Sequence, residues 1–125
     1  MIKLSIQYET GETGLRAVLK DYQEHALRII WASKEPLNSR QVWQKVNEKL
    51  HPETISRASI INFLDAVRES GVLKGEEVTG KGGHHWMYTP AMNEAEYKQY
   101  IAKTLVEHLL KYFPEETKQA LHSIK

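Results

Sequence analysis

The chain has 125 residues, 41% hydrophobic and 26% charged, with a net charge of +1; this suits one soluble globular domain with an oligomerisation extension and leaves no room for a second independent core. It has no cysteine, which excludes disulfides, cysteine-ligated zinc and thiol redox sensing. No apolar run approaches the ~18–20 residues needed to span a bilayer, and no signal-peptide pattern opens the chain, so a cytoplasmic protein with no membrane partner is expected.

At the N-terminus Ile2, Leu4, Ile6 and Tyr8 alternate with Lys3, Ser5 and Gln7. This period of two reads either as a short strand or as a partly ordered arm, occupying residues 1–15. Gly11-Glu12-Thr13-Gly14 breaks it. From Leu15 the period turns helical: Leu15, Leu19, Tyr22, Ala26, Ile29 and Ile30 share a face, and this helix is expected to end near Lys34, before Pro36. Asn38 or Ser39 caps a second helix through Leu50, with Val42, Trp43, Val46 and Leu50 inward. His51-Pro52 closes it, because a residue before proline is pushed out of the α region. Ser56 caps a third helix reaching Ser70, with Ile60, Phe63, Leu64 and Val67 inward and Gly71 ending it. Residues 72–78 and 84–88 read as two strands; Gly80, Gly82 and Gly83 between them imply a loop longer than a two-residue turn. Pro90 ends the second strand. Asn93 starts a long helix with one stripe of Ala95, Ile101, Leu105, Leu109 and Tyr112 and an adjoining one of Ala102, Val106, Leu110 and Phe113. Pro114 kinks or restarts it, and Ala120, Leu121 and Ile124 mark a short last helix.

The expected class is therefore mainly α with a small β-hairpin. Its parts are an N-terminal arm or strand over 1–15, a winged helix-turn-helix over 16–91, and C-terminal dimerisation helices over 92–125. A winged helix-turn-helix brings one helix N-terminus and one hairpin tip to the same side, where they can meet a duplex groove and its phosphates. On the third helix the core stripe leaves Arg57, Ala58, Ile61 and Asn62 outward, with Asp65 and Glu69 further along. Arg57 can pair with guanine or a phosphate, Asn62 can read adenine, and Ile61 can pack on a thymine methyl. Ser56 and Ser59 can donate to phosphates, and Lys81 is a phosphate contact at the wing tip, among glycines that permit close approach. The alternative is an amphipathic helix whose outer face is merely solvated.

Residues 35–90 carry seven Lys/Arg against seven Asp/Glu. Charge alone thus predicts no strong attraction to DNA, and any positive patch must come from arrangement. That balance keeps open a winged-helix protein-interaction module without sequence-specific DNA binding. His84 and His85 suggest metal ligands, but neighbours on a strand point to opposite faces and no acidic partner lies at helical spacing. No metal or cofactor is expected from them; a polar, pH-responsive wing base is the other reading. His25, His51, His108 and His122 are scattered, and no nucleophile, phosphate-loop or carboxylate-pair motif is present, so no enzyme is expected. Trp31, Trp43 and Trp86 admit a ligand pocket or core packing, and their area in a small domain favours the core. The C-terminal apolar face exceeds what a small winged domain covers, which points to a homodimer through Ile101, Leu105, Val106, Leu109, Leu110 and Phe113. The alternative is that this helix folds back on the first.

Ala26-Leu27-Arg28-Ile29-Ile30-Trp31, Ser39-Arg40-Gln41-Val42, the run from Ser59 to Leu73 with its Glu-Ser-Gly-Val-Leu ending, and Trp86-Met87-Tyr88-Thr89-Pro90 resemble the penicillinase-repressor (BlaI/MecI-type) family. The similarity covers about residues 18–120. It implies a homodimeric repressor that binds palindromic operators in double-stranded DNA through the third helix and the wing. Ser56, Arg57, Ser59, Ile61 and Asn62 match the recognition-helix segment of that family, and Lys81 its wing. Members of the β-lactam branch are inactivated by cleavage at an Asn-Phe bond in the C-terminal region. Here the one Asn-Phe pair is Asn62-Phe63, inside the recognition helix. The copper-responsive branch carries a C-terminal cysteine motif that this chain lacks, and residues 1–15 exceed the family's usual start.

Overall fold

The computed structural model describes residues 6–80 and 83–124. The chain divides into two compact units, Met1–Asn93 and Glu94–Lys125. In the first unit a 3₁₀ turn, Gly14–Ala17, precedes α1 (Asp21–Ala32), α2 (Ser39–Leu50) and α3 (Arg57–Glu69). An antiparallel hairpin of β1 (Leu73–Gly80) and β2 (Gly83–Pro90) follows.

The helix expected from Leu15 is split. Leu15, Ala17 and Leu19 are buried, but α1 starts only at Asp21. The backbone N–H of Lys20 donates to the Gln23 side chain at 2.9 Å, which opens a new helix at that point. Asp21 and Glu24 then supply the negative charge that a first turn favours. Nor do residues 6–9 form a strand; the Glu9 N–H donates to the Ala17 carbonyl at 2.7 Å instead. The rest of the alternating segment lies outside the described residues.

α2 and α3 begin as their sequence signals indicate. Asn38 accepts from the Gln41 N–H at 2.9 Å, and the Gln41 side chain accepts from the Asn38 N–H at 2.8 Å, a complete capping box. Ser56 caps α3 by accepting from the Ser59 N–H at 3.1 Å. The turn between the two helices is pinned from α2. Trp43 donates its indole N–H to the Ile55 carbonyl at 2.9 Å, and Asn47 accepts from the Ile55 N–H at 2.8 Å. Gly71 takes φ +83° after α3, a conformation that side-chain-bearing residues rarely adopt, and so turns the chain into β1.

The hairpin pairs from Leu73↔Pro90 to Gly80↔Gly83. Only Lys81 and Gly82 connect the strands, so the longer loop expected from the glycines is not what forms. Gly80 and Gly83 belong to the last pair of the ladder, so these two glycines extend the strands. Leu37 adds a one-residue third strand: its N–H and carbonyl bond Tyr88 at 3.1 and 2.8 Å.

The core of this unit is sealed by Ala26, Leu27 and Ile30 of α1, Val42 and Val46 of α2, and Ile60, Leu64 and Val67 of α3, with Val72 after it. Leu27 does not lie on the expected inward face of the first helix, yet it is fully buried. Phe63 meets Tyr22 edge-on at 6.3 Å between ring centroids.

The second unit is α4 (Glu94–Tyr112) followed by α5 (Pro114–Ser123). Pro114 occupies the first turn of α5, where its missing N–H costs nothing, so it restarts the helix. Thr117 is buried and donates its hydroxyl to the Leu109 carbonyl at 3.1 Å, tying the two helices together. Tyr97, on neither expected stripe, is buried, as is Ile101. Burial, with Tyr100 stacked 6.3 Å away, pushes the Tyr97 phenol up to about 12. Among the described residues no helix is long and apolar enough to cross a membrane.

Candidate nucleic-acid interface

The N-terminal half of α3 presents the residues picked out by the sequence. Arg57, Ala58 and Asn62 are exposed, and Ser59 and Ile61 are half-buried. Ser56 is exposed, but its hydroxyl is engaged: besides capping the helix it donates to the Ser59 hydroxyl at 2.9 Å. Among the described residues, the side chains of Arg57 and Asn62 have no hydrogen-bond or ion-pair partner, so both remain available. Lys81 lies outside the described residues, as does the side chain of His84, while His85 is exposed.

The helix termini differ in charge. α1, α4 and α5 open on carboxylates: Asp21 and Glu24, Glu94 and Glu96, Glu115 and Glu116. α2 and α3 have none in the first turn and each carries an arginine there instead, Arg40 and Arg57. Their caps are the neutral Asn38 and Ser56. A carboxylate in the first turn stabilises a helix through its macrodipole. The two helices of the helix-turn-helix forgo that and keep positive N-termini. This contrast is written in the sequence, but a search for individual base-reading residues passes over it.

The acidic residues later on α3 are occupied. Asp65 accepts from the Tyr88 hydroxyl at 2.9 Å, and Arg68 lies 3.8 Å from Asp65 and 3.7 Å from Glu69. Burial and the bond to Asp65 push the Tyr88 phenol well above the usual tyrosine range, so it stays a neutral donor. The Arg68 guanidinium lies 4.1 Å over the Trp86 ring, and its Nε is buried with no hydrogen-bond partner among the described residues. Trp31, Trp43 and Trp86 are each half-buried rather than sealed in the core. Trp31 donates to the Met92 carbonyl at 2.9 Å, and Trp43 pins the turn.

The apolar surface of the second unit is left open in the single chain. Leu109, Tyr112, Phe113, Leu121 and Ile124 are exposed, Leu105, Val106 and Leu110 are half-buried, and Ile101 is already buried.

Comparison with known proteins gives two findings. The family model described as penicillinase repressor matches residues 19–123. A crystal structure from Thermoplasma acidophilum, provisionally described as a transcriptional regulator, superimposes with a TM-score of 0.50 at 15% identity, covering 83% of this chain and 91% of that one. At that identity the likeness establishes the fold alone. No curated protein matches the chain.

Proposed function

Since the chain belongs to the penicillinase repressor family of transcriptional regulators, we propose that it is a cytoplasmic, homodimeric, sequence-specific DNA-binding protein that represses transcription by occluding a promoter. The observation that carries this reading is the N-terminal half of α3: an acid-free first turn with an exposed Arg57 and, further along, an exposed Asn62, neither paired among the described residues. A helix entering a major groove reads bases with that part of its length. Arg57 pairs with guanine or a phosphate, Asn62 reads adenine and Ile61 packs on a thymine methyl. Ser59 donates to a phosphate, Ser56 holds the cap, and Lys81 contacts the backbone from the wing. Leu105, Val106, Leu109, Leu110 and Phe113 form the dimer face, with Tyr112, Leu121 and Ile124 extending it and Ile101 packed beneath. A two-fold dimer then presents two copies of α3 to a palindromic operator.

The neutral charge count of residues 35–90 favours a second reading, a docking module for other proteins. One experiment separates the two: binding to genomic DNA fragments between about 50 and 200 mM salt. The regulator shows a sequence preference and loses affinity as salt rises. Arg57→Ala lowers specific binding, and Lys81→Ala weakens binding to every sequence and reduces the salt slope by about one per protomer. No preference and no salt dependence would leave the docking module.

A further inference from the structure

One side chain joins the recognition helix to both strands of the wing. Arg68 leaves the last turn of α3, and its stem crosses β1 at Gly75. A Cβ at Gly75 would collide with Arg68 Cδ and stand 3.0 Å from Trp86 Cε3. The guanidinium then covers Trp86 of β2 and approaches Asp65, which also accepts from Tyr88 of β2. A two-stranded hairpin is marginal in water by itself, so a few contacts with its support set its direction. Gly80, at the end of β1, lies five residues beyond Gly75, about 17 Å along the strand. A tilt of about 10° at Gly75 moves that end of the strand by about 3 Å, as much as the whole length of a hydrogen bond to a phosphate.

We propose that Arg68, wedged between Asp65, Gly75 and Trp86, is the positioning residue that aims the wing at the DNA backbone. This rests on the DNA-binding reading above. Arg68 does not itself contact DNA in this account; it acts through the direction of the hairpin formed by β1 and β2. The geometry also assigns a reason for glycine at position 75, since that position must leave room for the arginine stem.

The test is a double-mutant cycle on the full-length dimer. The probe is a duplex of about thirty base pairs, recovered by the wild-type protein from random DNA, and a scrambled version of it. Arg68→Met keeps the length of the stem and removes the planar cation. Gly75→Ala displaces the same arginine without removing any charge. One phosphate contact contributes about fivefold at about 0.15 M salt, so Lys81→Ala costs about fivefold per wing. Arg68→Met and Gly75→Ala are each expected to lose a similar factor, on both duplexes alike. Adding Lys81→Ala to either should cost nothing further. Amide exchange should quicken in β1 and β2 but not in α1 or α2, and if Arg68→Met fails to fold, Gly75→Ala carries the cycle. Losses that multiply with that of Lys81→Ala overturn the inference alone, because Arg68 then acts independently of the wing tip. If the wild type recovers no preferred duplex, the DNA-binding reading falls and the inference falls with it.

Discussion

Phe113→Ala should disassemble the proposed dimer, and the structure sets the size of the effect. Phe113 is 57% exposed in the single chain. A phenylalanine presents about 200 Å² of surface, so about 110 Å² is open for a partner to cover. At about 25 cal/mol per Å² that area stabilises association by about 2.8 kcal/mol per protomer. Alanine keeps the Cβ, leaving a loss of about 2 kcal/mol. Two-fold symmetry doubles it to about 4 kcal/mol, a rise in dimer Kd of about a thousandfold where coverage is complete. The chain itself should tolerate the change. Phe113 starts α5 through its carbonyl, which accepts from the Thr117 N–H at 2.9 Å, and alanine retains that carbonyl. Sedimentation equilibrium over a concentration series measures the Kd directly, with circular dichroism confirming retained helix. A wild-type monomer at all concentrations, or a variant whose dimer Kd stays within about threefold, would refute the assignment of this face.

Ser56→Ala removes the cap of α3 and should lower stability by about 1 kcal/mol in urea unfolding, since the Ser59 N–H loses its acceptor; an unchanged midpoint would show that solvent replaces the cap. Burial pushes the Glu24 carboxyl up, but hydrogen bonds from Arg28 and Arg16 outweigh it and hold it below the usual 4.5. Its folded-state value is depressed, so it stabilises the protein above the unfolded value and that stability is lost as pH falls through the folded one. Wild type should therefore lose stability more steeply than Glu24→Gln between about pH 5 and pH 3, and parallel curves would contradict the ion-pair account. Ala58→Glu, compared with Ala58→Gln as a size-matched control, should raise stability by about 0.5 kcal/mol through the α3 dipole while weakening DNA binding. If affinity for DNA were equal in the two variants, the first turn of α3 would not face phosphate or bases.

What could be read from the sequence was set by how local the determining contacts are. The caps Asn38 and Ser56 act within three residues, and the turn at Gly71 depends on one backbone conformation, so each was visible in a short window. The break before α1 was not, because an apolar stripe continues across a 3₁₀ turn and a helix with little change of spacing. The hairpin length was misjudged because glycine signals loops, whereas two of these glycines complete a ladder. The wing anchor was invisible for a different reason. Asp65 and Tyr88 are 23 residues apart, and Arg68 and Trp86 meet only once the hairpin lies against α3. No period in the sequence reports such a contact.

The charge count of the winged unit gives the same weight to residues with different consequences. Asp65 and Glu69 enter it as two negative charges, yet both lie within 4 Å of Arg68, and Asp65 is further occupied by Tyr88. Their fields are offset where they stand, at the C-terminal half of α3. At the other end of the helix no carboxylate among the described residues pairs with Arg57, and the helix dipole adds to its field. α2 repeats the arrangement with Arg40. Fields at a helix terminus fall off within a turn, and salt screens exposed charges beyond about 10 Å. A polyanion at either N-terminus therefore meets the local potential and not the sum over the unit. Neutrality in total then limits attraction to DNA at long range, while the two acid-free termini retain attraction at contact. In the proposed dimeric DNA-binding protein, affinity would then depend on correct docking, which would favour specific sites over bulk DNA and place more of the binding energy on dimer symmetry and on the aim of the wing.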